Sequence, residues 1–501
     1  MTSSAGRDGG GTSGSEMQTR INRGLAWIGT ASSMVGLLDS LALFLMLSFW
    51  VSRGEVGTAS LAISLFPVLD LATDLGLTAA VIQRDDHTEE KISTIFWLNL
   101  MMSVVLAALL AFVVGPAVAA LQGIPVLASL LAAYGAKLLW QNVYFIPYSL
   151  MKRELRFKEL SILRIIANLA EFGGKVGFAA AGFGVWAFVA GPLCRVFVTG
   201  VGTQILHPWR PRFVLKIREA LDWAAYGVKT SASKILFHLY TNVDYQVVGY
   251  FFGPVANGLY TAAYQLVLQP ALVISEVVTN VAFPVFSRLK NDRAALINQF
   301  ISFTRMNLVV MLLFIGIVLV STEEIYSVLG QMKGENWLPA VPAARILCAV
   351  AVLRALSFVI PPLLDGVNRP TLTLRYMVIA SIVMPILFVA FAWLLGDLFG
   401  FNAVAVAWAI GYPIAFAALI TMVLGVLELK LGDLLRGLRG IVGCAAAAIA
   451  LSAGVSLAAA PLPGLARFLL ATGTMVLAFS VLLARFEGVS PRSIVRSLRG
   501  S

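Results

Sequence analysis

Residues 372–428 read LTLRYMVIASIVMPILFVAFAWLLGDLFGFNAVAVAWAIGYPIAFAALITMVLGVLE, and within them 376–396 and 398–427 contain no Asp, Glu, Lys, Arg or His. A hydrocarbon core of ~30 Å is crossed by about 20 apolar residues in a helix. Lipid offers the backbone no hydrogen-bond partner, so a crossing segment must bond to itself as a helix or close into a barrel. Two such runs separated by a few residues read as an antiparallel pair of membrane helices. The same pattern extends in both directions, and 59% of the 501 residues are hydrophobic against 13% charged. The spans expected are 24–51, 55–82, 93–120, 125–150, 159–181, 184–206, 221–251, 256–284, 298–320, 339–364, 372–396, 400–428, 437–460 and 463–484. The chain therefore reads as an all-α polytopic membrane protein with about fourteen transmembrane helices.

Basic residues orient these spans, because cytoplasmic loops carry the excess of Lys and Arg. Arg84, Lys91, Lys152, Arg153, Arg156, Lys158, Arg210, Arg212, Lys216, Arg288, Lys290, Arg293, Lys430, Arg436 and Arg439 all fall in alternate connections. The other side has only Arg53, Lys333 and Arg467. Both termini are expected in the cytoplasm. The net charge of +11 is then a topology signal and a means of contact with anionic lipid, not a nucleic-acid surface. Cys194, Cys348 and Cys444 fall inside apolar spans with no metal spacing and no disulfide framework.

The expected organisation is a disordered cytoplasmic tail over 1–19, a six-helix lobe over 20–206, a cytoplasmic loop over 207–220, a second six-helix lobe over 221–428, an appended helix pair over 429–484 and a tail over 485–501. A weak internal repeat supports the two lobes, a device common in transporters. Pro67, Asp74 and Arg84 recur as Pro270, Glu276 and Arg288, and each copy follows a glycine-bearing hinge, Gly54 with Gly57 and Gly253 with Gly258. The appended pair is expected to serve lipid packing. The longest connections are expected around 207–220 and 321–338.

Charges inside spans mark function by default, because a charge at mid-bilayer costs a few kcal/mol even on the lenient insertion scale. Asp39, Asp70, Asp74, Glu171, Asp222, Asp244 and Glu276 accompany Lys137, Arg164, Lys175, Arg195, Lys229, Lys234, Arg305, Arg345 and Arg354. Arg164, Asp222, Arg305 and Arg345 lie near span ends, where long side chains reach the interface. The substrate-cavity candidates are Lys137, Lys175, Lys234, Asp244, Asp39, Asp74 and Glu276, with Tyr240, Asn242, Gln246 and Asn280 as hydrogen-bonding groups for sugar. Lys234 and Asp244 stand about 15 Å apart along one helix and cannot pair, whereas Glu171 and Lys175 can, at i and i+4. A modest excess of bases favours an anionic cargo.

No P-loop, H-E-x-x-H or other metal spacing occurs, and no connection is long enough to house a catalytic domain. No cofactor and no enzymatic activity are expected. Coupling to H⁺ or Na⁺ through an embedded carboxylate is left open by the residues.

The segment NVDYQVVGYFFGPVANGLYTAAYQLVLQPALVISEVVTNVAFPVFSRLKND at 242–292 resembles the most distinctive part of the Wzx-like polysaccharide flippases. So do LMKRELRFKELSILRII at 150–166, DLGLTAAVIQRDDHTEEKISTIFWLNL at 74–100 and GENWLPAVPAARIL at 334–347. These proteins form a branch of the multidrug/oligosaccharidyl-lipid/polysaccharide exporter superfamily, and the resemblance covers about 20–430. It implies two lobes around a cavity that opens alternately to each side. The implied cargo is an oligosaccharide on undecaprenyl pyrophosphate, carried across the bacterial inner membrane. The partners implied are that cargo, membrane lipids, and polymerase and chain-length components of a polysaccharide export system. Two rivals remain at this point, a cation-coupled multidrug antiporter of the same fold and a non-transporting subunit of a polysaccharide synthesis complex.

Overall fold

The computed structural model describes residues 38–74, 88–331 and 334–488, apart from the side chains at 74, 217–231, 276–281 and 330–331. All regular structure among the described residues is helical. In chain order the helices are α1 (Leu38–Phe49), α2 (Arg53–Ile63), α3 (Phe66–Asp74), α4 (Glu89–Leu109), α5 (Gly115–Gln122), α6 (Val126–Arg153), α7 (Phe157–Ala180), α8 (Ala187–Leu206) and α9 (Ile217–Leu289). They continue with α10 (Arg293–Gln331), α11 (Val341–Phe358), α12 (Ile360–Gly366), α13 (Pro370–Phe399), α14 (Asn402–Leu427), α15 (Leu431–Ala458) and α16 (Gly464–Phe486). Nine helical stretches among the described residues are long and apolar enough to cross a membrane.

Local chemistry sets the breaks. Ser52 caps α2 in a reciprocal box with Glu55, each accepting the other's backbone N–H. Thr88 caps α4, with Glu89 and Glu90 in the first turn at the positive end of the helix dipole. Between α4 and α5 a π-turn, Leu110–Val114, precedes Pro116, which lacks the N–H that an α-turn would require there. The expected hinge between spans seven and eight is Gly253. Its φ of 81° and ψ of 177° interrupt α9 just before Pro254. Two expectations about connections change. The stretch 321–338 is helical as far as Gln331, and the inter-lobe connection ends where α9 begins at Ile217. In both places helix continues past the apolar run, and near the end of α10 Glu323 and Glu324 are held by Arg345 and Arg467.

Helices pack into two units, 1–51 with 65–232, and 52–64 with 233–501. In the first, α7 and α8 form a tight hairpin in which Gly174 faces Cys194 and Gly191 leaves room for the stem of Lys175. The segment between α8 and α9 folds onto the start of α4. There Ser93 and Thr94 accept from the backbone of Arg212 and Lys216, and Glu89 and Glu90 pair with their side chains.

In the second unit α15 and α16 lie along α10. They are not joined by apolar packing alone. Arg305 on α10 meets Glu487 at 2.5 Å and the Gly437 carbonyl at 2.8 Å. At the other end Arg467 pairs with Glu324, whose side chain is only 4% exposed. The outer faces of the helices carry exposed apolar side chains such as Ile386, Leu394, Leu457 and Leu477, which would be costly in water and are at home in lipid.

Gly253 and Gly443 isolate the backbone effect, since a Cβ added at either meets nothing within 4 Å. Gly443 lies inside α15. Gly253→Ala should destabilise by about 1–3 kcal/mol, the cost of holding an L-residue in an extended positive-φ conformation that is essentially reserved for glycine. Gly443→Ala should be neutral or stabilising by up to about 1 kcal/mol. Thermal midpoints in detergent would show the opposite signs.

Candidate functional site

Three clusters of polar side chains lie within the described helices, two in the first unit and one in the second. In the first unit Pro67 and Phe66 open α3, and one turn on, Asp70 reaches α6. The Lys137 ammonium sits 2.9 and 2.8 Å from the two Asp70 oxygens, and the Tyr134 hydroxyl donates to Asp70 at 2.9 Å. Tyr134 and Lys137 are neighbours at i and i+3, so one face of α6 supplies both donors. The Tyr134 ring stacks on Phe66. The Lys137 side chain is 4% exposed and Asp70 33%. This is an embedded ion pair with one open side.

A second set runs across α1, α7 and α8. Lys175 pairs with Asp39 and, at 3.0 Å, with Glu171 one turn earlier, as their spacing leads one to expect. Glu171 in turn faces Arg195 at 3.0 Å. The result is an alternating row, Asp39–Lys175–Glu171–Arg195, beside a small cleft lined by Leu38, Asp39, Asn168, Glu171 and Phe172. Its middle is buried and its ends are open, with Asp39 59% and Arg195 42% exposed. Acids and bases balance in this row and in the Asp70–Lys137 pair.

The second unit is organised differently. Asp244 is fully buried. It accepts from the Tyr260 hydroxyl at 2.6 Å, the Trp408 indole N–H at 2.9 Å and the Tyr245 backbone N–H at 3.0 Å. Arg354, 1% exposed, donates to the Tyr264 hydroxyl at 3.0 Å and lies over the Trp408 ring at 5.2 Å. Aromatic faces therefore supply part of what water would give the guanidinium. Tyr240, also buried, packs against Trp408. The polar tips of one tryptophan and several tyrosines thus hold an acid and a base without joining them directly.

The remaining candidates are dispersed. Lys234 is exposed on the first arm of α9. Asn242 donates to the His238 carbonyl of its own helix at 2.8 Å. Gln246 donates to the Leu61 carbonyl and Ser64 hydroxyl of the α2 segment at 2.7 and 2.8 Å. The side chains of Asp74, Glu276 and Asn280 lie outside the described residues. Lys137, Lys175 and Asp39 fall in the first unit, and Lys234, Tyr240, Asn242, Asp244 and Gln246 in the second. Sequence reading registered Asp70, Glu171, Arg195 and Arg354 as embedded charges without nominating them, and passed over Tyr134, Tyr260 and Trp408. A signal for the last group exists in Tyr260 with Tyr264 and Trp408 with Tyr412, aromatics with polar tips at i and i+4.

Among known proteins, the family profile described as "Polysaccharide biosynthesis protein" matches residues 48–342. The chain belongs to the polysaccharide biosynthesis protein family. Teichuronic acid biosynthesis protein TuaB of Bacillus subtilis is 34% identical over 293 residues, covering 57% of this chain and 59% of that protein's length. Lipopolysaccharide biosynthesis protein WzxC of Escherichia coli is 23% identical over 339 residues, 66% of each chain. Among solved structures, the inward closed lipid II flippase MurJ superposes with a TM-score of 0.68 at 15% identity, covering 93% of this chain and 99% of that one. An inward-facing multidrug resistance MATE transporter of the MOP superfamily gives 0.67 at 15% identity, covering 79% and 95%. At these identities the likeness shows the fold alone, which this chain shares with those two transporters. The chain is a multi-pass membrane protein of polysaccharide biosynthesis.

Removing one partner of an embedded pair leaves a charge without compensation. Asp70→Ala should therefore lower stability by about 3 kcal/mol, the low end for a broken buried pair because Asp70 is partly open. Adding Lys137→Ala to it should recover part of the loss, since the stranded ammonium is gone. Melting of the two single variants and the double variant in detergent measures this coupling. Strictly additive losses would show that the pair contributes nothing as a pair.

Proposed function

We propose that this protein is a flippase that moves an undecaprenyl-pyrophosphate-linked oligosaccharide from the cytoplasmic to the outer leaflet of the bacterial inner membrane, by alternating access between two lobes. The observation that carries this reading is the combination, in one chain, of a polysaccharide biosynthesis family with a transporter fold that spans nearly the whole of a lipid II flippase. The chain crosses the membrane fourteen times with both termini in the cytoplasm, an orientation supported by the alternation of its basic connections.

The row Asp39–Lys175–Glu171–Arg195 is the place in the first unit where an anionic head group would be received. Arg195 has the geometry for it, with a planar donor fork, one edge against Glu171 and the remainder open. Lys137 does not compete for this role, because its ammonium is already held by Asp70 and Tyr134. A multidrug antiporter has the same fold, and the family membership tells against it.

Deletion of the gene should abolish one surface polysaccharide and leave lipid-linked oligosaccharide in the inner leaflet. In complementation, Arg195→Glu should restore less polymer than Arg195→Gln at equal membrane abundance, because repulsion is added to lost attraction. Equal restoration would mean that shape rather than charge receives the head group. Normal polysaccharide in the deletion strain, with new sensitivity to cationic dyes, would move the assignment to an antiporter. Reporter fusions should place Arg212 and Lys430 in the cytoplasm and Lys333 outside.

A further inference from the structure

In the first unit α4 and α8 both pack against α6. Between α8 and α9 the chain runs without helix from His207 to Lys216, over the end of this trio. Trp209 packs against Ile92, Ile95, Phe145 and Ile146, from α4 and α6. Phe213 stacks on Trp97 of α4 with ring centres 4.9 Å apart, and the Trp97 indole N–H donates to the Arg212 carbonyl at 2.9 Å. Phe213 is nonetheless 91% exposed. Polar bonds from Ser93 and Thr94 to the backbone of Arg212 and Lys216 hold the ring at the surface. A large apolar side chain fixed there needs an apolar partner from outside.

The helices beneath decide what that partner is. Trp97, Met101 and Val104 stand at i, i+4 and i+7 and share one face of α4, on which Met101 and Val104 are exposed. Phe197, Val201 and Gln204 repeat that spacing on α8, with Phe197 and Val201 exposed. Trp140 of α6 stacks on Phe197. Exposed apolar faces of this kind are covered by lipid, so Phe213 prolongs one lipid-facing stripe and Gln204 ends the other.

Arg210 stands on Gln204. Its Nη1 donates to the Gln204 side-chain oxygen at 2.9 Å and to the Trp209 carbonyl at 3.2 Å, and among the described residues it meets no acid. Its basic neighbours are compensated: Arg212 by Glu89, Lys216 by Glu90, and Arg156 by Glu154 and Glu159. Glu154 also meets His207 at 3.2 Å. The exposed Arg210 therefore keeps a planar donor fork for an anion such as phosphate. Three residues separate it from Phe213, a reach of at most about 10 Å.

We propose that this connection builds a binding site for an anionic phospholipid, whose phosphate is taken by Arg210 and whose acyl chains lie against Phe213 and the stripes below it. Two apolar stripes under one cation suit a diacyl lipid better than a single-chain polyprenyl carrier. The site goes beyond the transport reading, and it uses the orientation argued above only to name the cytoplasmic leaflet as the source of the lipid.

The test is native mass spectrometry of the full chain in detergent, titrated with dioleoyl phosphatidylglycerol or dioleoyl phosphatidylcholine. The wild type and Arg210→Gln differ in mass and share each solution, so non-specific attachment cancels. Phosphatidylglycerol should bind Arg210→Gln about fivefold more weakly, the effect of one basic residue at an anionic lipid surface. Phosphatidylcholine should bind both equally. Phe213→Ser should weaken both lipids alike, because the ring meets chains and not charge; a loss confined to phosphatidylglycerol would overturn the placement of the chains. An equal loss of phosphatidylglycerol from Arg485→Gln, an exposed cation at the end of α16, would reveal diffuse charge and overturn the site. So would unchanged binding in Arg210→Gln, displacement of the lipid by an excess of inorganic phosphate, or a preference for undecaprenyl phosphate over phosphatidylglycerol. None of these measurements involves surface polymer, so failure of the polysaccharide assignment would appear separately, in the deletion strain.

Discussion

Hydrocarbon supplies no hydrogen bonds, and this one constraint accounts for most of what the helices do with their polar residues. A lone charge in a span is costly, so each embedded acid or base must bring its own partner or reach water. The first unit solves this with opposite charges, Asp70 against Lys137 and the row from Asp39 to Arg195. The second uses ion pairs along α10, Arg305 with Glu487 and Glu324 with Arg467, but at its centre it uses neutral donors, giving Asp244 two side-chain hydrogen bonds and one backbone bond while Arg354 rests on aromatic faces. An alternating row can exchange partners, because Lys175 has two acids within reach and Glu171 two bases. A carboxylate held by an indole and a phenol inside a packed core has no such freedom. The row in the first unit therefore carries adaptable charge, whereas the centre of the second holds a fixed polar node.

That difference bears on how a charged cargo could be handled. Coulomb attraction strengthens as water is excluded, but a base already paired must give up one carboxylate to gain another anion. Exchange is least costly at the end of the row, where Arg195 is held on one edge only. It is most costly at Lys137, where both oxygens of Asp70 and a tyrosine hydroxyl converge. Counting bases in a sequence overstates the attraction available, since the acids that compensate them come from other helices and are invisible along the chain.

Much of the fold was legible because it depends on local terms. Apolar run length and the break at Gly253 each follow from residues close together in sequence. The C-terminal end of α10 was not legible, because the partners of its polar turn, Arg345 for Glu323 and Arg467 for Glu324, come from other helices. Of the candidate site, the Glu171–Lys175 pair could be read from its i,i+4 spacing. Asp70 with Lys137 and Asp244 with Trp408 could not, because 67 and 164 residues separate the partners. The appended pair was read as lipid packing because its spans hold so few charges. Its charged ties to α10 run through Arg467 and Glu487, at the two ends of α16, where end-of-span charges are ordinarily discounted as interfacial.

The weak repeat acquires a physical reason in the crossing of α2 with the second arm of α9. When two similar segments meet reciprocally, a requirement at a position in one becomes a requirement at the matching position in the other. A Cβ on Gly57 would run into the Pro254 carbonyl and one on Gly258 into the Arg53 carbonyl, so the two glycines satisfy one steric condition, met twice. The surrounding bonds need not match, and they do not: Asn257 and Gln246 reach from one side only. In the register that matches Gly57 with Gly258, Pro67 falls opposite Leu268 and Pro270 opposite Leu69, so the crossing accounts for one glycine pair and not for the prolines of the repeat. Close backbone approach fixes where the segments meet, while these hydrogen bonds, each individually weak in a membrane, hold them there.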